Sequence, residues 1–259
     1  VSAPVVVKLG GAVLDDAEAV AAVWAGVAAL RVPAVVVHGG GPQATALARR
    51  LGHEPRVVAG RRVTTDLDLD VALWTLRGAL NARLVAAAGE AGVRAVGISG
   101  ADGGLVRVTR RPPRDVDGET VDFGHVGDVE AVDPTLALVL QAAGFVPVVA
   151  SVCADAAGAL YNVNADTVAA ELAAALGASR LDLVTEAGGV RRDPDEPGSR
   201  LRQLSAAEAE AGVADGWIGG GMRPKLETAL LALGRGVPAV RVCGPADVAR
   251  PGAGTTVTV

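Results

Sequence analysis

Short apolar runs, several closing on glycine, recur along this chain with helix-like stretches between them. Val5–Leu9, Ala34–His38, Ala95–Ser99, Phe145–Ala150, Leu181–Thr185 and Ala239–Cys243 are rich in valine, leucine and alanine. They lack the strict apolar–polar alternation of a half-exposed strand, so they read as strands buried on both faces. Helix-like patterns over Asp16–Leu30, Pro42–Leu51, Asp66–Ala91, Asp133–Ala143, Ala165–Leu176, Ser205–Ala211 and Met222–Leu233 separate them. Thr64 or Thr65 is placed to cap the third of these helices. The alternation predicts an α/β fold on a largely parallel sheet covered by helices on both faces. Ala159–Val163 and Thr255–Val259 add two shorter strands, Arg56–Val63 an irregular or hairpin piece, and Arg191–Arg202 a polar loop. Between Gly103 and Glu130, charge, proline and glycine rise, and short alternating pieces (Leu105–Thr109, His125–Val129) predict an inserted hairpin or flap.

At 259 residues the chain makes one large domain or two intimate lobes. No linker separates the halves 1–150 and 151–259, so two lobes are expected to share one sheet. The net charge of −5 offers no basic footprint for nucleic acid. The two cysteines, Cys153 and Cys243, are too few for a disulfide framework and fit buried thiols in a reducing compartment. No apolar run approaches the ~18 residues that would span a membrane. The chain enters a strand almost at once, so no signal peptide is expected, and a cytoplasmic location is.

Lysine usage narrows the chemistry. Of 24 basic residues only Lys8 and Lys225 are lysine, the other 22 being arginine. A chain that keeps lysine at two places needs a compact ammonium there. Lys8 ends the first strand, followed by Gly10-Gly11. Gly39-Gly40-Gly41 and Gly188-Gly189 close two further strand ends, and Gly219-Gly220-Gly221 opens the helix that carries Lys225. Strand ends and helix starts of this kind offer backbone N–H groups to phosphate. Two of the three asparagines stand in Asn162-Val163-Asn164-Ala165-Asp166. Asp166 there reads either as a capping carboxylate or as an anchor for the lysines. Arg62 has the geometry to clamp a carboxylate, and also reads as an ordinary surface arginine. No G-x-x-x-x-G-K-[ST] or G-x-S-x-G occurs. Asp122-Phe123-Gly124 stands without the other protein-kinase signatures and is a coincidence. His38, His53 and His125 lack metal spacing; His38 reads as a structural histidine beside the glycines and His53 as a solvated loop residue.

In order, K-L-G-G, H-G-G-G, G-x-R-V-T, N-x-N-A-D and G-G-M-x-P-K resemble the amino-acid kinase family over nearly the whole chain. The likeness is strongest to members that phosphorylate the side-chain carboxylate of N-acetyl-L-glutamate in arginine biosynthesis. It implies a three-layer αβα sandwich on a mainly parallel sheet of about eight strands. An N-terminal lobe (1–150) would hold the acyl amino acid and the dimer contacts, and a C-terminal lobe (151–259) the ATP. By the same resemblance, Lys8 and Lys225 would stabilise the transferring phosphoryl group and Asp166 would organise them. Gly40, Gly41, Arg62 and Asn162 would bind the substrate. Gly10, Gly11, the turn Glu186-Ala187-Gly188-Gly189-Val190-Arg191 and Trp217-Ile218-Gly219 would lie along ATP. The Gly103–Glu130 segment would be a lid. Mg2+ would ride on the phosphates, without a protein ligand of its own.

Glu186 departs from the aspartate usual at its position in the family. The short start of the chain resembles the arginine-insensitive, homodimeric type. Two rival functions remain open: a kinase acting on aminoadipate or glutamate carried by an acidic carrier protein, for which Arg107, Arg110, Arg111 and Arg114 offer a docking face, and a non-catalytic sensor of nucleotide or amino acid.

Overall fold

The computed structural model describes residues 2–193 and 195–259. The first half runs β1 (Val5–Leu9), α1 (Ala17–Ala29), β2 (Ala34–His38), α2 (Gly41–Arg50), β3 (Val57–Val58), β4 (Arg61–Arg62), α3 (Asp66–Ala72), α4 (Asn81–Glu90), β5 (Ala95–Ser99), β6 (Val106–Arg110), β7 (Arg114–Val116), β8 (Glu119–Val121), β9 (Gly127–Val132), α5 (Thr135–Ala142) and β10 (Val146–Ala150). The second runs β11 (Val152–Ala154), β12 (Leu160–Asn162), α6 (Ala165–Ala175), β13 (Arg180–Val184), β14 (Gln203–Ser205), α7 (Ala206–Ala214), α8 (Arg223–Gly234), β15 (Val240–Cys243) and β16 (Thr255–Thr258). Position 194 of the expected polar loop Arg191–Arg202 lies outside the described residues.

Eight strands form one sheet in the order β14-β16-β15-β13-β1-β2-β10-β5. It is parallel from β15 to β5, and β16 meets β15 antiparallel. β1 lies at the switch point, with β2 on one side and β13 on the other, so its carboxyl end opens where the sheet order reverses.

Alternate residues of β1 enter opposite layers. Val6 packs with Leu181, Leu183 and, from α6 and α8, Val168, Leu172 and Leu226. Val5, Val7 and Leu9 face the other layer with Trp24 of α1 and Leu84 of α4. By the two-residue period Lys8 therefore shares the face of Val6, the face α6 covers. These three layers are the expected sandwich. Among the described residues no helix is long and apolar enough to cross a membrane. Cys153 and Cys243 are buried free thiols, each pushed up to about 12 by burial.

The helix expected over Asp66–Ala91 is a rod of three parts: α3, a π-helical stretch Leu73–Leu80, and α4. Thr65 caps it, its hydroxyl accepting from Asp68 N at 3.3 Å while the Asp68 carboxylate accepts from Thr65 N at 3.1 Å. The expected flap is only partly a flap. β6 and β9 pair antiparallel, but they belong with β11 and β12 to a four-stranded sheet, and Leu105, Val106 and Val108 join the main core. Their alternation is what misleads: the valines turn inward, while the charges between them, such as the Arg107–Glu130 pair at 2.9 Å, stay outside. Asp122-Phe123-Gly124 is structural, with Phe123 buried against Val121 and Val126 and Asp122 paired to Arg110 at 2.9 Å.

Asp182 of β13, wholly buried, accepts from Arg241 Nε at 2.9 Å and Nη2 at 2.7 Å and from Arg180 Nε at 3.0 Å. Arg241 and Arg180 both donate onward to Val248 O, tying the segment after β15 to the sheet. Removing one partner of such a pair strands a buried charge. Asp182→Ala is expected to lower the unfolding free energy by roughly 3–5 kcal/mol in urea titrations. A loss under about 1 kcal/mol, the range of a surface pair, would show that the pair does not hold this edge.

Candidate active site

Lys8, at the end of β1, is buried, and its Nζ lies 2.7 Å from Asp166 Oδ1. Asp166 stands in the first turn of α6, yet it is not the cap. Asn164 fills that role, its Oδ1 accepting from Asp166 N at 2.7 Å and Thr167 N at 3.4 Å. Asn164 thereby frees the Asp166 carboxylate to pair with Lys8. Lys225, in the first turn of α8, donates from Nζ to Gly221 O at 3.0 Å and makes no ion pair with Asp166 among those the structure holds. Its ammonium is pushed below the usual lysine range first by burial and then by the charge of Lys8, against the pull of Asp166. Two ammoniums thus share one carboxylate, which leaves positive charge in excess at the carboxyl edge of the sheet.

Glycine geometry shapes the floor. Gly40 has φ 156°, and a side chain there would run into Leu80. A Cβ on Gly11 would stand 2.8 Å from Pro42 Cδ, so the turn after β1 packs directly on the start of α2. Gln43 Nε2 donates to Gly11 O at 2.8 Å and fixes that turn. His38 holds the second glycine turn, as a structural histidine should: its Nδ1 donates to Gly39 O at 2.9 Å and its Nε2 accepts from Asn81 Nδ2 at 3.0 Å. That pairing requires the neutral ring, and burial pushes its pKa down to about 4.

Two cavities meet this edge. The first, of about 270 Å³, gathers Lys8, Gly11, Gly40, Gly41, Arg62 and Asn162. Arg62 Nη2 donates to Gly41 O at 3.2 Å and to Thr45 Oγ1, and its Nη1 lies 3.5 Å from Asp68 Oδ1. Asn162 Nδ2 donates to Thr64 Oγ1 at 3.4 Å. The second, of about 370 Å³, gathers Glu186, Ala187, Gly189, Val190, Arg191, Trp217, Ile218, Gly219 and Lys225. Its turn is left-handed at Gly188 (φ 67°), and Val190 N donates to Thr255 Oγ1 at 2.8 Å. The Arg192 guanidinium stacks 4.5 Å above the Trp217 ring. Gly10, Gly188 and Asp166 line neither cavity; Gly10 N instead donates to Val184 O at 3.2 Å.

Sequence reasoning missed Asp68, Arg111 and Ser151, which also line the first cavity. Asp68 stands three residues after Thr65, a capping-box spacing that could have found it. Arg111 carries no local signal; it points inward because Asp128 accepts from its Nε at 2.9 Å. His53 is not a solvated loop residue: its Nε2 sits 3.1 Å from the buried Asp68 Oδ1.

The sequence profile of the amino acid kinase family matches residues 3–244. The chain is 44% identical over 242 residues to an acetylglutamate kinase of Symbiobacterium thermophilum, covering 92% of this chain and 83% of that protein. It is 45% identical over 269 residues to an acetylglutamate kinase of Sorangium cellulosum, covering 99% and 94%. The fold matches the crystal structure of smu.665 from Streptococcus mutans with a TM-score of 0.80 at 24% identity, covering 98% of each chain.

The depressed His38 pKa has a signed consequence. As pH falls below 6.5 the unfolded chain takes up a proton that the folded chain refuses until about 4, so stability is complete above 6.5 and drains away across that window. The gap corresponds to about 3 kcal/mol. Urea titrations from pH 7 to 4 should show His38→Gln losing about 3 kcal/mol less than the parent chain; equal losses would place His38 in a wetter or charged setting.

Proposed function

We propose, for a chain that belongs to the amino acid kinase family, that it transfers the γ-phosphoryl group of ATP to the side-chain carboxylate of N-acetyl-L-glutamate. The product is an acyl phosphate, and the step an early one in arginine biosynthesis. The observation that carries this reading is the Lys8–Asp166 pair. It stands beside a cavity holding Arg62 and Asn162, and Lys225 brings a second ammonium from the neighbouring cavity that Trp217 also lines.

The nucleophile is a carboxylate, already ionised near neutral pH, so no side chain has to remove a proton. Arg62 takes the substrate's other carboxylate through its fork of N–H groups, and Asn162 adds an amide donor. Lys8, with Lys225 opposite, offsets the charge that spreads over the phosphoryl oxygens, while the N–H groups of Gly11 and of the Gly40–Gly41 turn close on them. Asp166 keeps Lys8 extended to the cavity wall. The second cavity takes the nucleotide, with Trp217 as its flat wall. Glu186 keeps a carboxylate there in place of the family's aspartate. Mg2+, riding on the ATP phosphates, supplies further charge neutralisation when bound. Residues 1–150 supply most of the acyl amino acid site and 151–259 the ATP site, although Asn162 crosses that line. A cytoplasmic homodimer completes the reading.

Free substrate is favoured over a carrier-linked one by the state of the four arginines on and after β6. Arg107, Arg110, Arg111 and Arg114 are each paired with Glu130, Asp122 or Asp128. A basic docking face for an acidic carrier would have to break those pairs. With MgATP, N-acetyl-L-glutamate and hydroxylamine the chain should form a hydroxamate. Lys8→Arg should fold normally and lose on the order of 10²–10³-fold in turnover, as when a preorganised donor is lost. Hydroxamate only from a carrier-linked substrate would overturn the substrate, none from either would favour a sensor, and full activity in Lys8→Arg would remove Lys8 from the chemistry.

A further inference from the structure

Asp68 has more partners than a capping carboxylate needs. Its side chain is 1% exposed, and its two oxygens divide their partners cleanly. Oδ2 serves the helix, accepting from Thr65 N at 3.1 Å and Thr65 Oγ1 at 2.7 Å. Oδ1 turns the other way, to His53 Nε2 at 3.1 Å and Arg62 Nη1 at 3.5 Å, on the wall of the first cavity. Burial alone would raise this carboxyl's pKa, but the Thr65 and His53 hydrogen bonds outweigh it and hold the group below the usual carboxylate range, so it is ionised. The Arg62 guanidinium is thereby gripped at both ends, by Asp68 on Nη1 and by Gly41 O and Thr45 on Nη2. A planar fork held at two points is restrained against rotation, and Arg62 lines the first cavity.

We propose that Asp68 is a positioning residue for substrate recognition: through Oδ1 it fixes the plane of Arg62, and so sets affinity for the substrate's non-reacting carboxylate without taking part in phosphoryl transfer. This rests on the carboxylate-kinase reading for its substrate, but not for its geometry. Asp68→Asn tests it sharply. An amide has one acceptor oxygen and an NH2 group that can only donate. The acceptor stays with Thr65, so the cap survives, while the NH2 is presented to Arg62 and His53 and the grip on Nη1 is lost.

The experiment compares the parent chain with Asp68→Asn and Thr65→Ala in two assays. The first is steady-state hydroxamate formation with N-acetyl-L-glutamate. The second is the rate of phenylglyoxal modification at Arg62, followed by peptide mass mapping, which needs no substrate. Asp68→Asn should raise KM for N-acetyl-L-glutamate about tenfold, leave kcat and KM for ATP within about twofold, and speed modification of Arg62 several-fold. Thr65→Ala, which removes the cap's side chain but leaves Asp68 beside Arg62, should lower Tm and leave both assays unchanged. Should Asp68→Asn fail to fold, Asp68→Ser takes its place with the same expectation. Unchanged Arg62 reactivity in the Asp68 variant overturns the proposal whatever the substrate is. So does faster modification with unchanged KM in an active enzyme, or a fall in kcat with KM unmoved. If the parent chain itself ignores N-acetyl-L-glutamate, the substrate reading fails, and Arg62 reactivity still decides the positioning role.

Discussion

The ion pair between Lys8 and Asp166 fixes the working edge of this molecule. Neither residue is placed by its own preference. Lys8 belongs to a strand whose neighbours are valine and leucine, and the two-residue period turns it onto the face that α6 covers. Burying an ammonium there without a partner would be strongly unfavourable. Asp166 supplies the partner at 2.7 Å, and it is free to do so because Asn164 takes over the capping of α6. The pair is close to neutral by itself, so Lys225 leaves the cluster one positive charge in excess; its pKa is lowered first by burial and then by the charge of Lys8. A phosphoryl group in transfer carries the charge that such a cluster lacks.

Around this pair, rigidity comes from neutral or fully satisfied polar groups. Neutral His38 ties the glycine turn to Asn81, which in turn donates to Val148 O at 2.9 Å across the sheet. Gln43 ties the first turn to α2, and Thr255, from the last strand, ties down the turn of the second cavity. The glycines can therefore offer N–H groups without being loose. Arg62 and Asp68, which the proposed reading assigns to recognition of the substrate's second carboxylate, face each other on β4 and the start of α3. On that reading chemistry and recognition sit on different elements, β1 and α6 against β4 and α3, whose Lys8, Arg62 and Asp68 line one cavity.

Much of this was legible in the sequence, for physical reasons. β1 and β2 coincide with their expected bounds because a doubly buried strand allows few polar residues and stops at glycine; β5 keeps its bounds too, although as the edge strand it is only partly buried over its first three residues. The two lysines stood out because arginine fills every other basic position. Other features carry no local signature. The π-helical stretch has the composition of an α-helix, and β11 and β14, three residues each, are too short for any periodicity. Asp182 and Arg241 are 59 positions apart, and only the register of β13 on β15 brings them together. Arg111 read as part of a docking face because its burial depends on Asp128, a partner that no spacing reveals. His53 was misread for the same reason: what takes it out of solvent is a carboxylate on the next helix.

On the proposed function Lys8 and Asp166 act as one device, the carboxylate working through the ammonium. A double-mutant cycle on kcat/KM for acyl phosphate formation, with Lys8→Met, Asp166→Asn and the pair combined, tests that claim most directly. The double variant should be no slower than the slower single variant, since either change already removes the device. Losses that multiply, so that the double variant falls by the product of the two single effects, would contradict it and give each residue an independent role.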